Sequence, residues 1–185
     1  MEDYDKLYDY VGKEAIDDYA VETLKRFVGT SCNKIVVEYP YHDKDFLSTY
    51  YCYYSQKFRS FPKKCYRLHI MGKDEVYYGY IVLRPTVKGT RLGTTYLSPK
   101  PLINEEAYLM LAKYEAHIMD NKCEIKCFPW MKQEVDISVC AHVAAWTILR
   151  YYGNKYHNYA DTTMGAIAQK IKGDMGRKTP SNGLT

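Results

Sequence analysis

Long hydrophobic runs are missing from this chain of 185 residues. No apolar segment approaches the ~18 residues that a membrane-spanning helix needs, and the N-terminal sequence MEDYDKLYDY lacks the apolar core of a secretory signal peptide. Six cysteines at irregular spacings are too few for the framework of a disulfide-stabilised secreted fold. We therefore expect a soluble, cytoplasmic protein with mostly reduced cysteines and no contact with a membrane.

The chain also has little excess of charge of one sign. Its formal net charge is +4, which by itself does not indicate that the protein binds nucleic acid. Tyrosine, in contrast, is abundant, with 21 residues. Because tyrosine combines a large apolar ring with a polar hydroxyl group, this abundance indicates either extensive aromatic packing or a surface that contacts a partner.

The pattern of apolar residues predicts helices and strands in a mixed order. The predicted helices span residues 17–29, 43–60 and 104–114, and the predicted strands span residues 33–41, 65–71, 75–85, 94–98, 115–119 and 123–128. In the second helix the predicted apolar face consists of Leu47, Tyr51, Tyr54 and Phe58. Because no βαβ unit is repeated, the order predicts an α+β fold.

The prolines and turn residues of SPKPLIN, residues 98–104, predict a boundary near residue 100. Residues 1–100 would then form an α+β module with its own helices and sheet. Residues 101–185 would form a second, incomplete unit that contains the stretch with the clearest chemical signal.

That stretch is QEVDISVCAHVAAWTILRYYG, residues 133–153. Its pattern predicts a helix that begins at or just before Cys140, buries Trp146 and the stem of Arg150, and ends at Gly153. Backbone N–H groups and the helix dipole favour a thiolate in the first helical turn. The backbone N–H of Cys140 and the side-chain amide of Gln133 could both donate hydrogen bonds to the oxygen of an attacked carbonyl group.

Cys140 is therefore predicted to be a nucleophile and Gln133 an oxyanion donor. The alternative is that Cys140 is a small apolar residue at the start of a buried helix.

The same residues resemble those of papain-like cysteine peptidases, and in particular of the C39-like group. Members of that group have a glutamine, a short acidic loop, here with Asp136, and a cysteine that begins a helix with a YYG-type end. TPSNGLT, residues 179–185, resembles the loop that leads to the next helix in the group. The resemblance covers residues 129–185, and it departs from the group's pattern at Ala141, where glycine is common.

This resemblance implies that residues 101–185 form the cysteine-bearing half of a papain-like fold. It also implies a cysteine peptidase or related thiol hydrolase that acts on a peptide or protein substrate, and the same residues could serve deamidase or transglutaminase-like chemistry. The family needs a general-base histidine and an Asp or Asn that orients it, both downstream of the cysteine. We therefore expect a C-terminal continuation that completes the domain, without which the chain would be an inactive fragment.

The histidines present are poor candidates for the base. His142 lies about 200° around the predicted helix from Cys140, and His157 lies beyond the far end of that helix. His42 and His69 belong to the portion without a resemblance, and His117 alone is not excluded by geometry. The competing hypothesis is a non-catalytic binding or regulatory module, which retains a papain-like scaffold and uses a tyrosine-rich surface to recognise a partner.

Two further patterns indicate binding more weakly. Cys123 and Cys127, near His117, could hold zinc, but a strand would simply place both cysteines on one face; we expect no metal and no cofactor. The basic residues Lys57, Arg59, Lys63, Lys64 and Arg67 are interleaved with aromatic residues, a mixture that nucleic-acid-binding surfaces use. A solvated helix end explains that mixture equally well, so nucleic acid is not the partner we favour.

Overall fold

The computed structural model describes residues 4, 6–58, 60–101, 108–134 and 140–171, without the side chains of residues 74 and 171. Parts of the sequence-based predictions concern residues outside these ranges, namely Arg59, 104–107, Asp136 and 179–185. The α-helices are α1 (Leu7–Val11), α2 (Asp18–Val28), α3 (Lys44–Cys52), α4 (Cys140–Lys155) and α5 (Met164–Ile171). The strands are β1 (Cys32–Tyr41), β2 (Cys65–Gly72), β3 (Tyr77–Leu83), β4 (Leu92–Leu97), β5 (Ala112–Ile118) and β6 (Asn121–Cys127).

The strands form two antiparallel sheets. The larger sheet has the order β1-β2-β3-β4, so that each strand pairs with the next along the chain, and β5 and β6 form a separate hairpin. Helices combined with antiparallel strands confirm the predicted α+β fold. Of the helices that the structure describes, none is long and apolar enough to cross a membrane.

The four-stranded sheet is covered on both faces because its side chains alternate between them. Leu68 and Ile81 pack on one face against α1 and α2. Val82 packs on the other face with Phe46 of α3 and Trp146 of α4. The β5–β6 hairpin lies on that second face as well, and side chains from both sides of the predicted boundary near residue 100 therefore share one core.

Helix α2 forms where the sequence predicted it. Asp17 caps its N-terminus by accepting a hydrogen bond from the N–H of Ala20 at 3.0 Å. Gly29 ends the helix with a φ of 45°, a conformation that glycine adopts without strain.

Helix α3 is shorter than predicted, and its buried face is shifted by about one residue position from the predicted face. It ends at Cys52 and is followed by a single 3₁₀ turn, Tyr54–Gln56. The predicted apolar face was wrong in part: Tyr54 is buried as predicted, but Tyr51 and Phe58 are exposed, whereas Phe46, which lies outside that face, is buried. The side chain of Asp45 is also directed inwards, and the charge contacts that it makes there set the orientation of the helix.

Two other elements differ from the prediction. Residues 112–114 belong to β5 instead of a helix, and along this strand Ala112, Tyr114 and Ala116 are buried while the residues between them are exposed. Helix α4 does not end at Gly153 but continues to Lys155. The carbonyl oxygen of Ala160 lies 3.3 Å from where a Cβ of Gly153 would be, so the glycine gives the following loop room to approach the helix.

Candidate active site at the start of helix α4

Cys140 and Gln133, the two predicted site residues, lie next to each other. Cys140 is the first residue of α4, and its thiol donates a hydrogen bond to Oε1 of Gln133, with 3.0 Å between sulfur and oxygen. Both side chains are exposed. All six cysteines are free, and Cys140 is the one that is exposed to solvent, which makes its sulfur accessible to a substrate.

Gln133 belongs to a short extended segment that lies along the edge of β4 opposite to β3. We call residues 130–134 the covering segment. Trp130 and Thr95 exchange two backbone hydrogen bonds of 2.8 and 3.1 Å, and the N–H of Lys132 donates to the carbonyl oxygen of Leu92 at 3.2 Å. The edge of β4 thereby fixes the backbone that leads to Gln133.

Aromatic contacts hold the covering segment against α2 as well. The rings of Trp130 and Phe27 stack with centroids 5.6 Å apart. The ammonium group of Lys132 lies 3.0 Å from the centroid of the Tyr19 ring. Sheet edge and helix α2 together restrict the path of the chain just before Gln133.

Arg84 fixes the two neighbours of Gln133. Its Nη2 donates to the carbonyl oxygen of Lys132 at 2.9 Å, and its Nη1 lies 2.6 Å from the carboxylate of Glu134. Tyr54 donates its hydroxyl hydrogen to the other oxygen of that carboxylate at 2.6 Å. Arg84 and Glu134 are both buried, so this ion pair is protected from screening by solvent. Gln133 thus lies between two anchored residues while its own side chain remains in solvent.

The helix that carries Cys140 is positioned by another buried charge pair. Arg150 of α4 lies 2.8 Å from the carboxylate of Asp45, and the indole N–H of Trp146 donates to the same carboxylate at 2.9 Å. Burial raises the pKa of Asp45 to about 7, although Arg150 opposes this shift by favouring the charged carboxylate. A second carboxylate, that of Asp161, lies 3.0 Å from Arg150. These contacts connect α4 to α3 and to the loop before α5.

Four other cysteines are in environments that disfavour reaction. Burial raises the pKa of both Cys65 and Cys127 to about 12. It raises the pKa of Cys32 and Cys123 too. Because the thiolate is the nucleophilic form, these four thiols are poorly reactive at neutral pH.

No histidine contacts Cys140 in the part of the chain that the structure describes. His142 is buried on a side of α4 away from the exposed Cys140, and burial lowers its pKa. His69 is also buried, and it contacts the Tyr77 hydroxyl at 2.8 Å and the Glu38 carboxylate at 3.2 Å. The other three histidines, His42, His117 and His157, are exposed and lie on other elements.

Residues of the two sequence patterns that indicated metal or nucleic-acid binding make contacts within the protein. Cys123 and Cys127 share one face of β6, and among the described residues no group of three His, Cys, Asp or Glu side chains is arranged to hold a metal ion. In the basic stretch, Lys57 lies 4.2 Å from the centroid of the Tyr53 ring. Arg67 pairs with Glu38 at 2.5 Å.

Sequence reasoning did not identify Arg84, Glu134 or Asp45 as residues that support the site. Each is charged and buried, whereas a hydrophobic pattern assigns charged residues to the surface. The one available signal was the acidic residue directly after Gln133.

Comparisons of the chain with protein-family models, with curated proteins and with solved structures found no match. The resemblance of residues 129–185 to C39-like peptidases thus stays a prediction. Inferences about function depend on the geometry of the site.

Proposed function

We propose that this protein is a papain-like thiol acyl hydrolase in which Cys140 is the nucleophile and Gln133 an oxyanion donor. The observation that carries the proposal is the 3.0 Å contact between the Cys140 sulfur and the Gln133 side chain at the exposed start of α4. An accessible thiol, the backbone N–H of Cys140 and a side-chain amide thereby meet at one point.

The reaction follows from this arrangement. The thiol of Cys140 loses its proton to water, its sulfur forms a bond to the acyl carbon, and the carbonyl oxygen takes up the negative charge. Collapse of this intermediate breaks the bond to the leaving group and leaves a thioester on Cys140. Water then attacks the thioester, which releases the acid and regenerates the thiol.

Gln133 can serve both the resting and the reacting state. Its Oε1 accepts the hydrogen bond of the thiol, and that bond disappears when the thiol loses its proton. The Nε2 group of the same carboxamide can then donate to the oxyanion, together with the backbone N–H of Cys140. The anchored neighbours Lys132 and Glu134 hold the backbone in place during this change.

An amide substrate needs a proton on its leaving nitrogen, and in papain-like hydrolases a histidine supplies it. Among the described residues no histidine contacts Cys140. An aryl ester does not need one, because p-nitrophenolate is a good leaving group without protonation. Acylation by an aryl ester therefore tests Cys140 and Gln133 in the chain as it stands.

The test is the reaction with p-nitrophenyl acetate, followed by p-nitrophenolate release and by peptide mapping of the acetylated residue. We expect Cys140 to be acetylated before the other cysteines, and Cys140→Ala to abolish this rapid phase. Gln133→Ala should slow the acetylation of Cys140 by roughly 100- to 1,000-fold, the usual cost of removing one oxyanion donor.

Alkylation by iodoacetamide is the matched control, because the displacement of iodide by the thiolate forms no oxyanion. Gln133→Ala should leave the alkylation rate of Cys140 within about twofold of the unaltered protein. Equal effects of Gln133→Ala on both reactions would show that Gln133 acts only on the exposure of the thiol. Acetylation of Cys140 no faster than that of Cys123 would overturn the proposal as a whole.

A further inference from the structure

A large groove lies along the outer edge of β1, on a part of the surface to which Cys140 does not contribute. It encloses about 1140 Å³, and residues 32–37 of β1 form its floor. One wall comes from α1 and from the 3₁₀ turn that follows α2, Gly29–Ser31, and the other wall comes from the turn between β5 and β6. The groove therefore follows a strand and is bounded by elements from both faces of the sheet.

The backbone of β1 offers hydrogen-bonding groups to this groove. The N–H of Ser98 donates to the carbonyl oxygen of Tyr78, so Tyr78 directs its backbone groups towards β4. Antiparallel strands alternate this direction at every residue. Because Tyr78 faces β4, Ile81 directs its backbone groups towards β2, where it pairs with Leu68. Leu68 then faces β3, so its neighbour His69 directs its backbone groups towards β1, where it pairs with Val36.

Val36 consequently directs its N–H and C=O groups to β2, whereas Ile35 and Val37 direct theirs into the groove. Among the described residues, no backbone hydrogen bond from outside the sheet reaches Ile35 or Val37. Such an edge is a template for one further strand.

Both walls of the groove contain large apolar side chains. Tyr4, Leu7 and Tyr10 line it on the side of α1, and Ile118 and Met119 line it on the side of the hairpin. Tyr10 is 79% exposed and Met119 is 88% exposed. The side chains of an added strand would point alternately to the two walls, and apolar side chains could therefore be buried on both sides.

Two lysines, Lys6 and Lys34, and one carboxylate, that of Glu75, line the groove, so its charge is positive on balance and favours an acidic residue in the added strand. Lys34 lies in the floor, is exposed, and forms no salt bridge within the described part of the chain. It belongs to the same face of β1 as Val36, because their positions differ by two residues. A carboxylate next to it would be attracted without displacing an existing partner.

We propose that the edge of β1 binds an extended segment of a partner polypeptide, rich in aliphatic residues and with an acidic residue opposite Lys34, as a fifth strand of the sheet. Free backbone groups in the floor select an extended main chain, and the two apolar walls select its side chains. This proposal does not depend on the chemistry of Cys140.

The test begins with selection from a random library of linear peptides, with the folded chain as bait. The enriched peptides are synthesised and bound to the chain, and hydrogen exchange is measured for single amides. In the free protein the amides of Ile35 and Val37 should exchange rapidly and that of Val36 slowly. Bound peptide should slow exchange at Ile35 and Val37 at least tenfold and leave Val36 nearly unchanged.

Two pairs of variants add a measurement by fluorescence anisotropy. Val37→Pro removes one N–H from the floor and should weaken peptide binding about tenfold, whereas Val37→Thr keeps the N–H and a similar shape and should change it much less. Lys34→Glu should weaken binding of acidic peptides about fivefold. Lys73→Glu is its control, because Lys73 is exposed but does not line the groove.

Three results would overturn the proposal. The first is that no linear peptide is enriched, and the second is that the enriched peptides leave exchange at Ile35 and Val37 unchanged. The third is a concentration-dependent dimer in analytical ultracentrifugation that protects the same amides, which would identify a second copy of this chain as the occupant. Because none of these measurements uses the Cys140 thiol, they are independent of the acetylation experiment.

Discussion

Along β4, the backbone groups at the edge of the sheet bond to the covering segment, whereas along β1 the corresponding groups face an open groove. Thr95 exchanges hydrogen bonds with Trp130, while Val37 directs its N–H into the groove at the other end of the sheet. The covered edge positions Gln133 and the open edge does not contact the site. In one sheet, therefore, one edge supports an internal site and the other is left for an external strand.

The two edges also differ in the interactions that attach them to the rest of the protein. Buried ion pairs and backbone hydrogen bonds reinforce each other at the covered edge, where Arg84 joins β3 to the covering segment. At the open edge, the strand that pairs with β1 is β2, and Glu38 of β1 adds contacts to Arg67 and His69 of β2. We expect substitutions at the covered edge to have the larger effects on stability.

The largest effect should come from Arg84→Met. The substitution leaves Glu134 buried without its cation and removes the bond to the Lys132 carbonyl oxygen. The free energy of unfolding should fall by about 3–5 kcal/mol, as is usual when one partner of a buried pair is removed. Urea denaturation measures it. The control, Arg91→Met, loses only longer bonds to backbone oxygens and should cost no more than about 1.5 kcal/mol; equal losses would refute the role of Arg84.

A smaller effect should distinguish the two edges directly. Thr95→Pro removes an N–H that donates to Trp130 and leaves that carbonyl oxygen without its partner, so it should destabilise the fold by about 1–3 kcal/mol more than Thr95→Val. Val37→Pro removes an N–H for which the described residues provide no hydrogen-bond partner, and relative to Val37→Thr it should cost about 1 kcal/mol or less. The comparison fails if the two proline substitutions, each measured against its control by urea denaturation, cost the same.

The smallest effect concerns pH at the open edge. Burial lowers the pKa of His69 below its ordinary value of 6.5, against the raising effect of Glu38. Below pH 6.5 the unfolded chain therefore binds a proton that the folded protein does not, and stability falls as the pH decreases from 6.5 towards the lowered pKa. His69→Gln stays neutral, so the loss of stability between pH 7 and pH 5 should be smaller in this variant than in the unaltered protein.

Urea denaturation at the two pH values checks this prediction. The exposed His42 offers a matched substitution, His42→Gln, which should retain the pH dependence of the unaltered protein. A pH dependence that is unchanged in His69→Gln would show that other groups dominate in this range.

Much of the fold could be predicted because its signals are local. The caps Asp17 and Gly29 delimit α2, and β-branched residues with turn residues between them mark the strands from β1 to β6. The sequence also assigned Cys140 and Gln133 to one site, and their side chains are in contact. Their catalytic roles, in contrast, stay predictions.

The missed features depend on contacts over long distances in the sequence. Asp45 and Arg150 are 105 residues apart, and nothing near either one indicates that the two charges meet in the core. The inward direction of Asp45 changes which face of α3 is buried, and for this reason the face with Tyr51 was predicted incorrectly. Residues 112–114 were assigned to a helix because a short apolar run does not by itself distinguish a helix from a strand.

The protein has two tryptophans, and each lies on one of the two segments that meet at the site. Trp130 is stacked on Phe27 in the covering segment, and Trp146 is fully buried in α4 beside the carboxylate of Asp45. Their surroundings differ in polarity, and so should their fluorescence emission. Trp130→Phe and Trp146→Phe would each leave a single intrinsic fluorophore, so the movements of the two segments during a reaction could be followed separately without an attached dye.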